Sequence, residues 1–184
     1  MGVAVTSNFV RFLLCAMFAL ALTGCGATYR DKNQVMMAQA DVKLSRYLGT
    51  WYEIARFPVP FQRGCTATTA TYGAIDDATV SVHNKCRQQS PDGPLREIKG
   101  TARVSGPGQL RVRFSSIPLI SAPYWILWVD DSYETAVVGV PNGRAGWILA
   151  RTPDISPARR QFAEAVLRKN GYDTSDLLTV EHAR

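Results

Sequence analysis

The chain has 184 residues, enough for one domain with its own core, and its 46% hydrophobic and 20% charged residues are ordinary for a globular protein. The net charge of +6 is small and scattered, which argues against nucleic acid as a partner and suits an anionic membrane surface or ligand head group. The first element is an apolar run, Val10 through Leu22, broken only by Arg11. It is too short to span a bilayer, which needs about 20 residues, and fits the apolar centre of a secretory signal.

The run ends in Leu22-Thr23-Gly24-Cys25, which resembles the bacterial lipobox. That resemblance implies a lipoprotein signal peptide over 1–24, cut before Cys25, and acylation of Cys25 with chains such as palmitate. More than one acyl chain gives stable anchoring, where one gives marginal binding. Gly26, not aspartate, follows the cysteine, which by the same resemblance implies the outer membrane, on its periplasmic face. A plain cleaved signal with an incidental cysteine is the alternative. Residues 26–41 are polar and without clear periodicity, so 25–41 reads as a lipidated tether. With Cys15 and Cys25 assigned, Cys65 and Cys86 remain, an even pair in an oxidising compartment. They flank two strand-like runs and can meet across the hairpin as a disulfide; free thiols or metal ligands are the alternatives. Without a CxxC or clustered histidines, neither a metal nor a cofactor is expected.

From residue 42 onward, short strand patterns follow closely. They run over Thr50–Phe57, Thr66–Ile75, Thr79–Arg87, Glu97–Val104, Gln109–Phe114, Tyr124–Val129, Thr135–Val140 and Trp147–Arg151. Turn residues separate them, at Asp76-Asp77 and Gly106-Pro107-Gly108 for example, which indicates an antiparallel sandwich or barrel. Ile98, Gly100, Ala102 and Val104 alternate with Lys99, Thr101 and Arg103, as half-buried strands require. The small inward Gly100 and Ala102 leave room for a cavity, or mark a bend. Strand six is apolar on both faces. With Tyr124, Ile126 and Trp128 inward, Trp125 and Leu127 face out, to be covered by a helix or to form a homodimer surface. Ser156-Pro157 then opens a helix with an apolar stripe through Phe162, Ala163, Val166 and Leu167, and Asn170-Gly171 ends it. A short strand, Leu177–Val180, follows.

Three motifs now carry a family resemblance. Gly49-Thr50-Trp51 follows Leu44–Leu48, a short helix that would close a barrel base. Asp130-Asp131-Ser132-Tyr133 resembles a Thr-Asp-Tyr turn, with Asp130 and Ser132 as departures. Arg151-Thr152-Pro153 follows Trp147-Ile148-Leu149. In this order they resemble the lipocalins, and among them the bacterial outer-membrane lipoprotein group, which is apolipoprotein D-like. The resemblance implies an all-β fold over 42–184: an eight-stranded antiparallel up-and-down barrel with a C-terminal α-helix packed outside. Gly49, Trp51, Asp131 and Arg151 are then fold residues, with Arg151 laid across Trp51.

Ligand contacts must come from inward side chains nearer the open end. Tyr124 and Trp147 lead, followed by Phe57, Tyr72, Val82, Asn84 and Phe114; plain core packing is the competing reading for each. Arg63 is a mouth candidate for an anionic head group. The implied function is binding and storage or transport of a lipid, a fatty acid or lysophospholipid, in the bacterial envelope. The alternatives are an enzyme, a haem binder or a structural envelope module on the same barrel. There is no G-x-S-x-G elbow, and neither His83 nor His182 sits beside a nucleophile in sequence, so no catalytic residue is assigned.

Overall fold

The structure is a computed structural model that describes residues 28–183; the leader over 1–24 and Cys25 lie outside the described residues. Nine strands are present: β1 (Gly49–Arg56), β2 (Cys65–Asp76), β3 (Thr79–Gln88), β4 (Leu95–Gly106), β5 (Gln109–Phe114), β6 (Ser121–Val129), β7 (Thr135–Gly139), β8 (Gly146–Ala150) and β9 (Leu178–Thr179). Helix α1 (Leu44–Tyr47) precedes β1, and α2 (Pro157–Lys169) lies between β8 and β9. Each strand from β1 to β7 pairs antiparallel with the next, and β1 also pairs with β8 and, at its end, with β9. The sheet therefore closes into the expected eight-stranded up-and-down barrel with a helix outside, and closure removes its free edges. Cys65 and Cys86 are joined in a disulfide across β2 and β3, with their Cα atoms 5.4 Å apart.

One end of the barrel is shut by Arg151. Its guanidinium lies 3.8 Å from the centre of the Trp51 ring. The same group donates to the carbonyl oxygens of Thr50 (2.9 Å), Leu48 (2.8 Å), Arg46 (3.0 Å) and Tyr133 (3.2 Å). Trp51 is fully buried and its indole N–H donates to the Tyr47 carbonyl at 2.8 Å, which fixes α1 as a plug. Gly49 has φ +92°, a conformation that favours glycine, and a Cβ there would sit 3.3 Å from the Arg151 guanidinium and press on it. In the β6–β7 turn the side-chain bonds are made by Asp130, one of the departures from the motif, and not by Asp131. Asp130 Oδ1 accepts from the N–H groups of Glu134 (2.7 Å) and Thr135 (2.8 Å), and Oδ2 accepts from Ser132 Oγ (2.6 Å). Asp131 contributes its carbonyl oxygen, which accepts from Arg46 at 2.7 Å.

Two cores flank the wall. Inside, Trp51, Tyr72, Val82, Val112, Ile126 and Leu149 pack around the base. Outside, Phe57, Leu127, Ile148, Ala163, Leu167 and Tyr172 pack between the wall and α2. Two β-bulges decide who faces where. The register of β6 slips between Ile126 and Trp128, which turns Trp128 outward onto Phe162 of α2, ring centres 4.9 Å apart, and Val129 inward. The inward position expected for Trp128 is thus corrected. The register of β1 slips between Glu53 and Ala55, so Arg56 faces in and Phe57 faces out.

Residues 28–41 are not a free tether. They lie along the outside of the wall, from the loop at 140–145 to the base. Tyr29 stacks on Phe57 at 4.8 Å, and its N–H donates to Gly143 O at 2.8 Å. Arg30 is buried: Nε donates to Asn170 O at 2.7 Å, and the Gln34 carbonyl takes a further bond. Asn170 Oδ1 in turn accepts from Met37 N–H at 2.9 Å. Gln39 N–H donates to Ile126 O, and Gln39 Oε1 accepts from Val129 N–H. Met36 packs into the outer core with Trp125, and Leu127 is buried there. The outward apolar face of β6, read from the sequence as covered by a helix or as a homodimer surface, is thus covered by the chain itself.

Replacing Arg151 by Met should lower stability by roughly 2–4 kcal/mol, from lost carbonyl bonds and the lost cation–π contact. Urea unfolding of wild type, Arg151→Met and Arg151→Lys checks this; a lysine that fully restores stability would show that charge, not the planar fork, closes the base.

Candidate functional site

The loops at 57–64, 89–94, 115–120 and 140–145 lie at the end opposite the plug, and between them the barrel holds a cavity of about 490 Å³. That volume is within the roughly 300–1,000 Å³ range of small-molecule sites. Its wall is mainly apolar, with Ala70, Val82, Val112, Phe114, Trp147 and Leu149 among the lining residues. Alternation along β2, β3, β5 and β8 aims these side chains inward.

Three polar groups interrupt the apolar wall. At the floor, Tyr72 Oη donates to Tyr124 Oη at 2.9 Å, and Tyr124 shares a second 2.9 Å bond with Tyr47 Oη. Burial pushes all three phenols up, Tyr72 to about 12. Higher on the wall, Glu53 and Arg56 form a buried ion pair at 2.9 Å. Gln62 Nε2 donates to Glu53 Oε2 at 2.7 Å, and Trp147 Nε1 donates to Gln62 Oε1 at 3.0 Å. Arg56 also donates to Cys65 O at 2.8 Å, which ties the disulfide-bearing strand to β1. Burial raises the Glu53 carboxyl above its ordinary value, opposed by the Arg56 charge and the Gln62 bond. Third, Thr68 Oγ1 and Asn84 Oδ1 line the same wall, buried and with no protein partner among the described residues.

Six of the seven side chains expected at the ligand meet in this cavity: Tyr124, Trp147, Tyr72, Val82, Asn84 and Phe114. Phe57 does not. It is fully buried on the far side of the wall between Tyr29 and Tyr172, because the bulge at Ile54 reverses its parity. Arg63 is exposed and off the lining; Lys85, Arg96 and Arg144 supply the cationic mouth instead. Sequence reasoning missed Glu53, Arg56, Gln62 and Thr68. Glu53 shares parity with Trp51, so alternation alone would have found it; Arg56 is inward only because of the bulge. Gly100 is small for a reason other than the cavity, since a Cβ there would collide with the Arg113 carbonyl on β5. His83 pairs with Glu97 on the outer wall at 3.1 Å, and His182 donates to Glu53 O at 2.9 Å. Among the described residues no three His, Cys, Asp or Glu side chains converge as a metal site.

Residues 42–182 match the family model described as a lipocalin-like domain. The chain is 34% identical over 176 residues to outer membrane lipoprotein Blc of Escherichia coli K12, covering 95% of this chain and 97% of that one. It is 32% identical over 183 residues to apolipoprotein D of Mus musculus, covering 91% and 94%. Among solved structures, lobster apocrustacyanin A1 superposes with a TM-score of 0.66 at 17% identity, covering 88% of this chain and 94% of that one, a likeness of fold.

The raised Tyr72 phenol sets a pH dependence. Its neutral form is favoured in the folded state, so its contribution is complete below pH 10 and is lost as pH rises through about 12. Urea unfolding across that window should show wild type losing up to roughly 3 kcal/mol more than Tyr72→Phe; parallel curves would contradict the burial argument.

Proposed function

Because this chain belongs to the lipocalin-like family, we propose that its barrel binds a single-tailed lipid, a fatty acid or a lysophospholipid, and stores or carries it in the bacterial cell envelope. The observation that carries the reading is the cavity itself: a deep apolar wall for a hydrocarbon tail, with polar groups gathered at few places. Tyr72, Val82, Phe114, Tyr124 and Trp147 contact the tail. Thr68 and Asn84 line the cavity and, by turning their side chains toward it, offer the polar part of the ligand hydrogen bonds that no protein group takes. Lys85, Arg96 and Arg144 attract an anionic head at the mouth. The function is binding without chemistry: Glu53 is committed to Arg56 and Gln62, and neither histidine lines the cavity.

The same reading places the protein at the outer membrane, on its periplasmic face, held by an acylated Cys25. The Leu22–Cys25 motif supports this, as does similarity over nearly the whole chain to a protein named as an outer membrane lipoprotein.

Trp147 alone of the four tryptophans lines the cavity. Titrating delipidated protein with a lysophospholipid or a long-chain fatty acid should give saturable fluorescence quenching that Trp147→Phe largely removes. No saturable binding of either lipid by calorimetry would sink the proposal. The double variant Thr68→Val, Asn84→Leu should weaken lysophospholipid binding about tenfold, from the loss of two hydrogen bonds. Radiolabelled palmitate should enter the wild-type chain in growing cells, and Cys25→Ser should abolish both label and membrane retention.

A further inference from the structure

The open end of the barrel carries side chains that a water-facing rim does not need. Residues 115–121 read Ser-Ser-Ile-Pro-Leu-Ile-Ser, without a charge. Leu119 is 97% exposed, Ile120 61% and Ile117 48%, and Phe61 on the 57–64 loop across the mouth is 57% exposed. Ile117, Ile120 and Phe61 also line the cavity, so an apolar surface runs unbroken from the outside of the rim to the inside of the barrel. Grouped apolar exposure of this kind marks an interaction surface.

Two observations choose the occupant. The first is where the described chain begins. Thr28 Oγ1 donates to Asn142 O at 3.2 Å, Tyr29 N–H donates to Gly143 O at 2.8 Å, and Tyr29 Oη donates to Pro58 O at 2.8 Å. All three acceptors sit on open-end loops. Two residues separate Thr28 from Cys25, three steps along the chain with a reach of at most about 11 Å. Whatever Cys25 is joined to therefore lies on the mouth side of the molecule. The second is charge. The open-end loops and their flanks carry Arg63, Lys85, Arg87, Arg96 and Arg144 against Asp92 and Glu97, a net positive rim, whereas at the opposite end Asp76, Asp77, Asp130, Asp131 and Glu134 are balanced by Arg46, Arg103, Arg111, Arg151 and Arg159. A basic, apolar rim fits an anionic lipid surface.

We infer that the open end docks on the lipid surface to which the chain is anchored, with Leu119 and its neighbours seated among the acyl chains, so that lipid passes directly between bilayer and cavity. The inference deepens the lipid-binding reading and rests on it. Docking removes the need for a single-tailed lipid to cross water, since the tail slides from one apolar phase to another along Ile117, Ile120 and Phe61.

The test uses the full chain purified from its bacterial membrane and reconstituted into phosphatidylethanolamine–phosphatidylglycerol vesicles whose acyl chains carry nitroxide. A fluorophore is placed by Leu119→Cys or, as a control at the opposite end, by Ile75→Cys, which is also exposed. Quenching at position 119 with none at 75 is expected. No quenching at 119, or equal quenching at both, overturns the docking. Self-quenching at 119 without vesicles would assign the rim to a second copy and also overturn it. Leu119→Asp should slow lysophospholipid transfer from vesicles at least about tenfold, while its affinity for lysophospholipid added from detergent stays that of wild type. An unchanged transfer rate would overturn the inference. Loss of lysophospholipid binding by wild type itself would instead refute the cavity reading, so the two failures are distinguishable.

Discussion

A planar cation laid on an indole decides the polarity of this molecule. Arg151 reaches the Trp51 ring and four carbonyl oxygens drawn from α1, β1 and the β6–β7 turn, so one side chain joins the start, the middle and the end of the barrel. With that end shut, the other must hold the cavity, and each inward residue acquires a height between floor and mouth. The Tyr47–Tyr124–Tyr72 cluster becomes a floor, the Glu53–Arg56–Gln62 group a mid-wall, and the 115–120 loop a rim. Gly49 is the small allowance that lets the guanidinium settle, since any side chain there would press on it.

Much of this was legible before any coordinates. Turn residues located all eight barrel strands to within a few residues, helped by alternation in strands such as β4 and β5 that have one dry and one wet face, although β6 and β7 are apolar on both. The cap at Ser156-Pro157 placed α2 for an equally local reason: Ser156 Oγ accepts from Arg159 N–H. Trp147 followed from its parity with Arg151, and Tyr124 from the family resemblance. The failures share one cause. Phe57 and Trp128 lie just beyond β-bulges, and a bulge adds a residue without a compositional mark, so parity carried across it comes out reversed. Arg56 is the same error seen from inside: a charged residue took the inward place that a phenylalanine was expected to fill.

The segment before β1 was illegible for a different reason. Residues 28–41 show no period because they form neither helix nor strand; their hold on the barrel comes from main-chain groups and a few long side chains. Arg30 is buried not to meet an acid but to satisfy carbonyls, Asn170 O at the C-terminal end of α2, where cations are favoured, and Pro141 O on the 140–145 loop. Composition could not distinguish such a strap from a loose tether. The strap also changes what an N-terminal anchor would mean mechanically: a pull on it is shared with the wall and α2, instead of swinging the barrel on a flexible cord.

The pairing of β1 has a consequence for how the chain comes to be folded. Its first half pairs with β2, its second half with β8, and at Ala55 and Arg56 it meets β9. The seam is sealed further by the tail, where Ala67 N–H donates to Glu181 O and Val180 N–H to Ile54 O. A strand near residue 50 thus waits for partners near residues 150 and 180. The closing contacts are among the most distant in sequence that the chain can make, and such contacts slow folding. A chain still emerging from a ribosome or a translocation channel cannot seal this barrel, whatever its local propensities. Delayed closure leaves the barrel open until its C-terminal strands are made, and the Cys65–Cys86 link, bridging a hairpin that needs neither end of the chain, can form first.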